Sequence, residues 1–229
     1  FGLKVNPETC PVLASHRIDN RYVVPFALLM EWKGYAAEKN NPGLRLYGMD
    51  GVRLLKGITL DDSDQDLFIK GATGKCKKTG DRFEAKAVVM SGRGDEDLSI
   101  MNCACTAILA DSLPEPPVLS TSSSLNLAPC TMDIQEAYRT VLFHGSRLQK
   151  IKSITGVSDR GIEVVASTAD PVSTWIADSK RPRWTTDPML LDAAFQAAII
   201  WTWERRQQVC LPAFMENFRL YSPFESVSG

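Results

Sequence analysis

The sequence predicts an α+β fold built from two units of similar size. Each half of the 229-residue chain carries one long apolar helical segment beside several short strand-like runs. Between the halves, the stretch 114–130 is rich in Pro and Ser and lacks periodic hydrophobicity, which is typical of a linker. Helix and strands in both halves indicate two antiparallel sheets, each packed on its own helix. We therefore predict one unit at 1–113 and a second at 131–229.

The first unit is predicted to contain a buried helix followed by an antiparallel meander. Pro25 opens an apolar segment with helical spacing, and the cluster Asn40-Asn41-Pro42-Gly43 ends it. Strand candidates separated by polar turn clusters follow the helix. These candidates are 44–60, 66–76, 82–91 and 98–110.

The second unit is predicted to contain a hairpin, a long helix and a further strand. Two strand runs, 150–158 and 161–168, flank a short polar turn and form the hairpin. Asp187 and Pro188 have the residue types of a helix N-cap and first turn, ahead of a strongly apolar helix. The run 211–221 follows as the one strand candidate after this helix. The second unit therefore looks incomplete at its C-terminal end.

The bulk composition is that of a globular protein. The chain is 44% hydrophobic and 23% charged with a net charge of −1, which argues against disorder and against nucleic acid as the main partner. No apolar run approaches the roughly 18 residues that a membrane span needs, and the N-terminus lacks the pattern of a signal peptide. We therefore expect a cytoplasmic protein without a membrane span.

The cysteines are interpreted as free thiols. Six of them are scattered along the chain, without the spacing of a disulfide framework. Cys103 and Cys105 would share one face of a strand, but a zinc site there needs two more ligands, and neither histidine adjoins them in sequence. We therefore predict no metal site.

The search for a base is short, because the chain has only two histidines, His16 and His144. His16 lies in an alternating stretch that runs into the start of the first helix at Pro25. Amides and the dipole at a helix N-terminus lower the pKa of a nearby histidine and offer donors to a substrate carbonyl. His16 is therefore a candidate base. The alternative is a strand residue that is hydrogen-bonded in place and has no catalytic role.

Asp192 is a candidate acid. It lies in the most apolar helix of the chain, where an unpaired carboxylate is costly and tends to stay protonated. Gln196 is four residues further on and shares the same helix face, within reach to orient that carboxyl. The alternative is a buried Asp that is satisfied by backbone groups and is purely structural.

Two motifs resemble those of dehydratase domains from modular polyketide and polyunsaturated-fatty-acid synthases. His16-x-x-x-Asn20-x-x-x-x-Pro25 resembles their His-x-x-x-Gly-x-x-x-x-Pro motif. Asp192 and Gln196 lie in Asp-Ala-Ala-Phe-Gln, which resembles their Asp-x-x-x-Gln/His motif. The two motifs lie near opposite ends of the chain, in the order found in the family.

Two weaker matches lie between and after these motifs. The segment 143–149, which contains His144, is similar to the family's aromatic/His-Gly-Pro-x-Phe-Gln segment. Leu211-Pro212-Ala213 is similar to the family's Leu-Pro-Phe segment. Four motifs in the family's order, at suitable separations, are more specific than any one of them.

The chain departs from the family at several motif positions. Asn20 replaces the motif glycine, although Asn tolerates left-handed backbone better than most residues. Phe26 follows Pro25 where the family usually has glycine, which narrows the substrate tunnel or shifts the amide that serves the thioester. Ser146 and Leu148 replace the usual proline and phenylalanine, so His144 is interpreted as a pocket or packing residue.

The resemblance implies a double hot-dog fold, with two sheets each wrapped on one central helix and a tunnel for an acyl chain. It implies dehydration of a 3-hydroxyacyl thioester to a 2-enoyl thioester. His16 would remove the C2 proton, Asp192 would protonate the C3 hydroxyl, and backbone amides would polarise the thioester carbonyl. The substrate would be carried on the phosphopantetheine of an acyl carrier protein, and no metal or organic cofactor is implied, because the thioester itself acidifies C2.

The predicted site has three groups of residues. The catalytic residues are His16 and Asp192. The supporting residues are Gln196, Asn20 and Pro25. The residues predicted to bind substrate are Phe26, Ala27, His144, Gly145, Leu211 and Pro212.

The implied partners are an acyl carrier protein and neighbouring synthase domains, with a homodimer as an option. Exposed charge around the second helix is a candidate surface for an acidic carrier protein; these residues are Lys180, Arg181, Arg183, Arg205 and Arg206. Three rival functions stay open. A product-template cyclase and an enoyl isomerase use the same scaffold, and a catalytically silent hot-dog module would only dock a carrier or a neighbouring domain.

Overall fold

A computed structural model of the chain describes residues 1–61, 67–94, 98–118, 125–179 and 181–221. The strands are β1 (Gly2–Val5), β2 (Arg17–Ile18), β3 (Arg21–Val23), β4 (Arg45–Leu54), β5 (Thr59–Leu60), β6 (Leu67–Thr73), β7 (Lys77–Thr79), β8 (Arg82–Gly92), β9 (Ile100–Ala110), β10 (Ile151–Ser158), β11 (Gly161–Ala166) and β12 (Phe214–Arg219). The α-helices are α1 (Phe26–Asn40), α2 (Ile134–Thr140), α3 (Val172–Trp175) and α4 (Pro188–Arg206).

Helix α1 is enclosed by the large antiparallel sheet and by α4. The sheet has the order β1-β6-β8-β9-β4-β12, and β7 pairs with β8. Nearly every residue of α1 from Phe26 to Ala37 is buried. A helix that is apolar on all sides is stable only when both of its faces are covered. The predicted central helix and antiparallel sheet of the first unit are confirmed, but its strands do not form a simple meander, because β4 pairs with β9 and β12 rather than with β6.

Helix α4 begins where the sequence predicts. The Asp187 carboxylate accepts hydrogen bonds from the backbone N–H groups of Met189 and Leu190, and Pro188 occupies the first turn. These contacts satisfy amides that have no acceptor inside the helix. The hairpin β10-β11 is also present and packs beside α4.

Strand β12 has a different partner from the one predicted. We expected the run 211–221 to belong to the sheet of the second unit, but β12 pairs antiparallel with β4, from Phe214 opposite Arg53 to Arg219 opposite Gly48. Without β12, β4 would present an unpaired edge of N–H and C=O groups. The close approach requires glycine at 48, because a Cβ there would lie 2.2 Å from the Phe218 carbonyl oxygen.

A buried ion pair joins α1 to the segment before α4. The Glu31 carboxylate is fully buried and accepts from the Arg181 guanidinium, from the Thr185 N–H at 3.0 Å, and from the Thr186 N–H and Oγ1 at 2.6 Å each. The prediction that Arg181 is exposed was wrong, because its side chain is only 9% exposed. Arg183, Arg205 and Arg206 are exposed, and Lys180 lies outside the described residues.

The predicted α+β class, with antiparallel sheets and long apolar helices, is confirmed. One buried apolar cluster includes residues from both predicted units, among them Met30 of α1 and Ile200 of α4. The unit boundaries stay a prediction, because parts of the predicted linker and of the C-terminal end, 119–124 and 222–229, lie outside the described residues. Across the described ranges, no helix is both long and apolar enough to cross a membrane.

Candidate active site

A tight hairpin positions His16. Asp19 and Asn20 form the two-residue loop between β2 and β3, and both have positive φ, 50° and 63°. Such turns favour Asn and Gly, so Asn20 is a suitable replacement for glycine. The hairpin returns Val23 to His16, where the Val23 N–H donates to the His16 carbonyl at 2.9 Å. The four-residue spacing from His16 to Asn20 therefore places a β-turn at Asp19 and Asn20, and this turn brings Val23 back beside the histidine.

The same hairpin fixes the tautomer of His16. His16 Nδ1 lies 2.7 Å from the Val23 carbonyl oxygen. A carbonyl oxygen only accepts, so Nδ1 carries the proton and donates it. Nε2 is then the unprotonated nitrogen, which a general base requires.

Gly145 brings the second histidine beside the first. His16 and His144 pair as an antiparallel bridge, and the Gly145 N–H donates to the Ser15 carbonyl at 2.8 Å. A Cβ at Gly145 would lie 2.9 Å from Ser15 Cα, so only glycine allows this approach. The two imidazole rings meet edge to face with centroids 5.3 Å apart.

Helix α4 places Asp192 next to the two histidines. Gln196 Nε2 donates to Asp192 Oδ2 at 2.7 Å and to the Leu148 carbonyl at 3.0 Å. His144 Nε2 lies 3.5 Å from Asp192 Oδ2. One nitrogen of each histidine and a carboxylate oxygen of Asp192 all lie within 4.8 Å of one another. Residues from distant parts of the sequence therefore form one buried cluster.

Burial shifts the pKa values of the cluster in opposite directions. Loss of solvation lowers the pKa of His16 to about 4, because the imidazolium is disfavoured. Burial, reinforced by His16, lowers the pKa of His144 to about 3. Burial raises the pKa of the Asp192 carboxyl to about 7, against the opposing hydrogen bond from Gln196. Neutral imidazoles therefore face a carboxyl that is only partly ionised near pH 7.

An apolar cavity of about 80 Å³ opens onto the cluster. Of the residues predicted to bind substrate, Phe26, His144, Leu211 and Pro212 line this cavity together with His16 and Asp192. The cavity is also lined by residues that sequence reasoning missed; these are Ile18, Val23, Val24, Leu54, Gly57, Phe143, Phe195 and Ile199. Several of them, among them Phe143 and Phe195, lie within the motif segments of the sequence, whereas Leu54 and Ile199 have only their apolarity as a signal, which they share with the core.

The other predicted site residues are not among those that line this cavity. Asn20 and Pro25 shape the hairpin and the start of α1, Gln196 holds Asp192, and Gly145 packs on Ser15. Ala27 is fully buried in the first turn of α1. The roles of Ala27 and Gly145 in substrate binding stay predictions.

Within the described residues, His16, His144 and Asp192 are a group of three side chains close enough together to hold a metal ion. Two imidazoles and a carboxylate are ligands that divalent transition metals accept. Two of these groups already have protein partners, since His16 donates to Val23 and Asp192 accepts from Gln196. Cys103, the other metal candidate of the sequence, accepts from the buried Lys33 ammonium at 2.9 Å.

Three comparisons relate this arrangement to known proteins. Residues 118–228 match the family described as polyketide synthase dehydratase N-terminal domain. The chain is 24% identical over 228 residues to a subunit of the polyunsaturated fatty acid synthase of Thraustochytrium sp., a match that covers 96% of this chain and 8% of that protein. The resemblance to polyketide synthase dehydratase domains is confirmed. The chain thus spans a small part of the synthase protein that it matches.

Solved dehydratase structures share the fold. The dehydratase domain from the CurF module of the curacin polyketide synthase superposes with a TM-score of 0.68 at 16% identity, covering 99% of this chain and 78% of that one. A trans-AT polyketide synthase dehydratase domain from Brevibacillus brevis gives 0.71 at 16% identity, with 97% and 76% covered. The erythromycin dehydratase gives 0.66 at 17% identity, with 99% and 77% covered. These likenesses establish the dehydratase-type hot-dog fold.

Proposed function

We propose that this chain dehydrates a 3-hydroxyacyl thioester, carried on an acyl carrier protein, to a 2-enoyl thioester. The observation that carries the proposal is that His16 and Asp192, from distant parts of the chain, lie close together and both line one apolar cavity. Two titratable groups whose pKa values are shifted apart by their surroundings are the usual basis for assigning a base and an acid.

The reaction needs one proton acceptor and one proton donor. His16 Nε2 takes the proton from C2, which the thioester carbonyl acidifies, while the bond electrons form the C2–C3 double bond. Asp192 gives its proton to the C3 hydroxyl, which leaves as water. The N–H groups of Leu28 and Leu29 donate to the Pro25 carbonyl. The N–H groups of Phe26 and Ala27 ahead of them are therefore the ones suited to bind the thioester oxygen as its charge grows.

No metal or organic cofactor takes part in this proposal, since the thioester itself supplies the activation. The expected consequence is that dialysis against a strong chelator leaves the rate unchanged. A rate that falls on chelation and returns with added Zn²⁺ would instead assign the His16, His144 and Asp192 cluster to a metal.

The proposed partners are an acyl carrier protein and the neighbouring domains of a synthase. The matched relative belongs to a polyunsaturated fatty acid synthase, and this chain corresponds to 8% of its length. A carrier-bound acyl group fits this apolar cavity, in which the polar lining residues His16, His144 and Asp192 lie close together.

The test is product analysis with the chain and a 3-hydroxyacyl group on a carrier protein. Loss of one water from the carrier-bound acyl group, detected by mass spectrometry, is the expected result. An unchanged mass with a shifted double bond in an enoyl substrate would favour an isomerase, and ring formation would favour a cyclase. Binding of the carrier without any turnover would support a silent docking module.

A variant that lacks the proposed base, His16, provides a second test of the function. His16→Ala removes the acceptor of the C2 proton, so we expect turnover to fall by about a thousandfold. The control is Asp159→Asn in the exposed turn between β10 and β11, which should keep wild-type turnover. Turnover within tenfold of wild type in a folded His16→Ala protein would contradict the assignment.

The pH profile of kcat/KM tests both roles at once. His16 must be neutral, so activity rises as pH rises through its pKa of about 4. Asp192 must be protonated, so activity falls as pH rises through its pKa of about 7. We therefore expect a bell-shaped profile. Activity that keeps rising above pH 8 would exclude Asp192 as the acid.

A further inference from the structure

A tyrosine outside the cavity is connected to the proposed acid. Tyr138 lies on α2, on a polar surface with Glu136 and Arg139. Its hydroxyl lies 2.9 Å from Gln196 Oε1 and receives the Ile151 N–H at 3.1 Å. Tyr138 is thus two hydrogen bonds from Asp192 without lining the cavity.

The partners of Gln196 fix the direction of this chain of hydrogen bonds. The Leu148 carbonyl only accepts, so the side-chain atom of Gln196 that faces it is the nitrogen. The oxygen of the same amide must then face Tyr138. Because Ile151 donates to the Tyr138 oxygen, the hydroxyl hydrogen is free to point at Gln196. The donor of each hydrogen bond in this series is therefore fixed: Ile151 donates to Tyr138, Tyr138 to Gln196, and Gln196 to Asp192.

This direction determines which oxygen of Asp192 holds the acidic proton. Gln196 donates an N–H to Asp192 Oδ2 at 2.7 Å, and a carbonyl oxygen is a better acceptor than a carboxylic hydroxyl. Oδ2 is therefore the carbonyl oxygen, and Oδ1 carries the proton. A flipped Gln196 would place its own oxygen against both Oδ2 and the Leu148 carbonyl oxygen, so the observed orientation is the one in which both acceptors receive an N–H.

We propose that Tyr138 is a positioning residue that, together with the Leu148 carbonyl, holds the Gln196 amide with its N–H directed at Oδ2 and so keeps the proton of Asp192 on Oδ1, free for the leaving hydroxyl. The inference rests on the proposed dehydration. The titratable groups near Asp192 are His16 and His144 across the cluster and Tyr138 through Gln196. Burial raises the pKa of Tyr138, and the neighbouring Asp192 adds to this, so the hydroxyl stays a donor at neutral pH.

The test is Tyr138→Phe, which removes one oxygen and keeps the ring. Without this donor, the Gln196 amide is oriented by the Leu148 carbonyl alone, and its N–H donates less strongly to Asp192 Oδ2. We expect kcat to fall about tenfold with KM within twofold of wild type, since one hydrogen bond is lost away from the cavity. We also expect the alkaline limb of the pH profile to move up by about one unit, because the weakened hydrogen bond stabilises the carboxylate form of Asp192 less. Loss of rate with an unmoved limb would mean a merely structural role and would overturn the proposal.

A double-mutant cycle shows whether Tyr138 acts through Gln196. In a Gln196→Ala background, Tyr138→Phe should cause no further change in the limb, because the group that it orients is gone. An equal shift in both backgrounds would contradict the proposal. Tyr35→Phe, at a half-buried tyrosine on α1 that stacks with Arg181, is the matched control and should leave the limb in place.

A direct titration separates failure of this inference from failure of the proposed function. The pKa of Asp192 can be followed by carbon-detected NMR of the carboxyl group without any substrate. The expected upward shift in Tyr138→Phe should appear there even if the chain does not dehydrate the chosen thioester. If that variant is unfolded, 3-fluorotyrosine at 138 keeps the oxygen, donates more strongly and should lower the pKa of Asp192. An unmoved pKa in the folded variant would overturn the proposal.

Discussion

The two long helices each bury one carboxylate, and the surroundings of the two carboxylates differ. Glu31 on α1 receives hydrogen bonds from Arg181, Thr185 and Thr186, and the arginine is a full opposite charge. Asp192 on α4 receives one hydrogen bond from Gln196 and faces two imidazoles that burial keeps neutral.

The difference lies in how the cost of burying a charge is met. A carboxylate with an arginine and several N–H donors can remain ionised inside a protein, and it then ties together the elements that supply those donors. A carboxyl without an opposite charge keeps its proton instead. Glu31 therefore joins α1 to the segment before α4, whereas Asp192 is ready to donate a proton.

Exchange of each carboxylate for its amide should give the largest contrast in turnover. Asp192→Asn removes the proton donor, so we expect turnover to fall by about a thousandfold, the usual contribution of a general acid. Glu31→Gln removes a charge away from the cavity, so turnover per folded molecule should stay within about fivefold of wild type. Active-site titration beside the rate measurement gives the folded fraction. Equal losses in both variants would remove the distinction between the two carboxylates.

For stability, Glu31→Gln should have the larger effect of the two variants. Glu31→Gln leaves the buried Arg181 without its countercharge, and we expect the free energy of unfolding to fall by about 3 kcal/mol. Urea denaturation at pH 7 measures this change. Arg181→Met in the Glu31→Gln background should recover part of the loss, because the unpaired charge is then gone. A change below about 1 kcal/mol in the single variant would contradict the structural role of Glu31.

The smallest effect is expected in the pH dependence of stability. Here Asp192→Asn should gain stability relative to wild type as pH rises, whereas Glu31→Gln should be less stable than wild type. The folded pKa of Asp192 is raised to about 7, so folded wild type retains a proton that the unfolded chain releases above its ordinary pKa. Wild type therefore loses stability as pH rises from the ordinary pKa of an aspartate to the folded pKa of about 7, and the loss levels off above that pH. Asp192→Asn has no such proton, so its stability relative to wild type should increase by about 2.5 kcal/mol between pH 5 and pH 8. Thermal melts at both pH values check this, and a constant difference would contradict a raised pKa.

The sequence predicted one of the two buried carboxylates and missed the other. Asp192 was noticed because it interrupts an apolar helix, and Glu31 interrupts the first helix in the same way. The same signal could have identified Glu31. Its partner could not have been found, because Arg181 is 150 residues away and looks like surface charge in sequence.

Local features of the site were well determined by the sequence. Asp187 and Pro188 start α4 because capping depends on adjacent residues, and Gln196 meets Asp192 because residues four apart share a helix face. The turn at Asn20 follows equally from local backbone preferences. Spacing along the chain is sufficient for contacts of this kind.

Contacts between distant segments were decided only by the tertiary structure. The pairing of β12 with β4, the bridge from His16 to His144 and the hydrogen bond from Tyr138 to Gln196 each join residues that no local periodicity relates. The sequence by itself determined the two long helices, the turn at Asn20 and the residue types of a candidate base and a candidate acid. Only packing decided that burial of both groups in one apolar cluster would lower the pKa of His16 and raise that of Asp192.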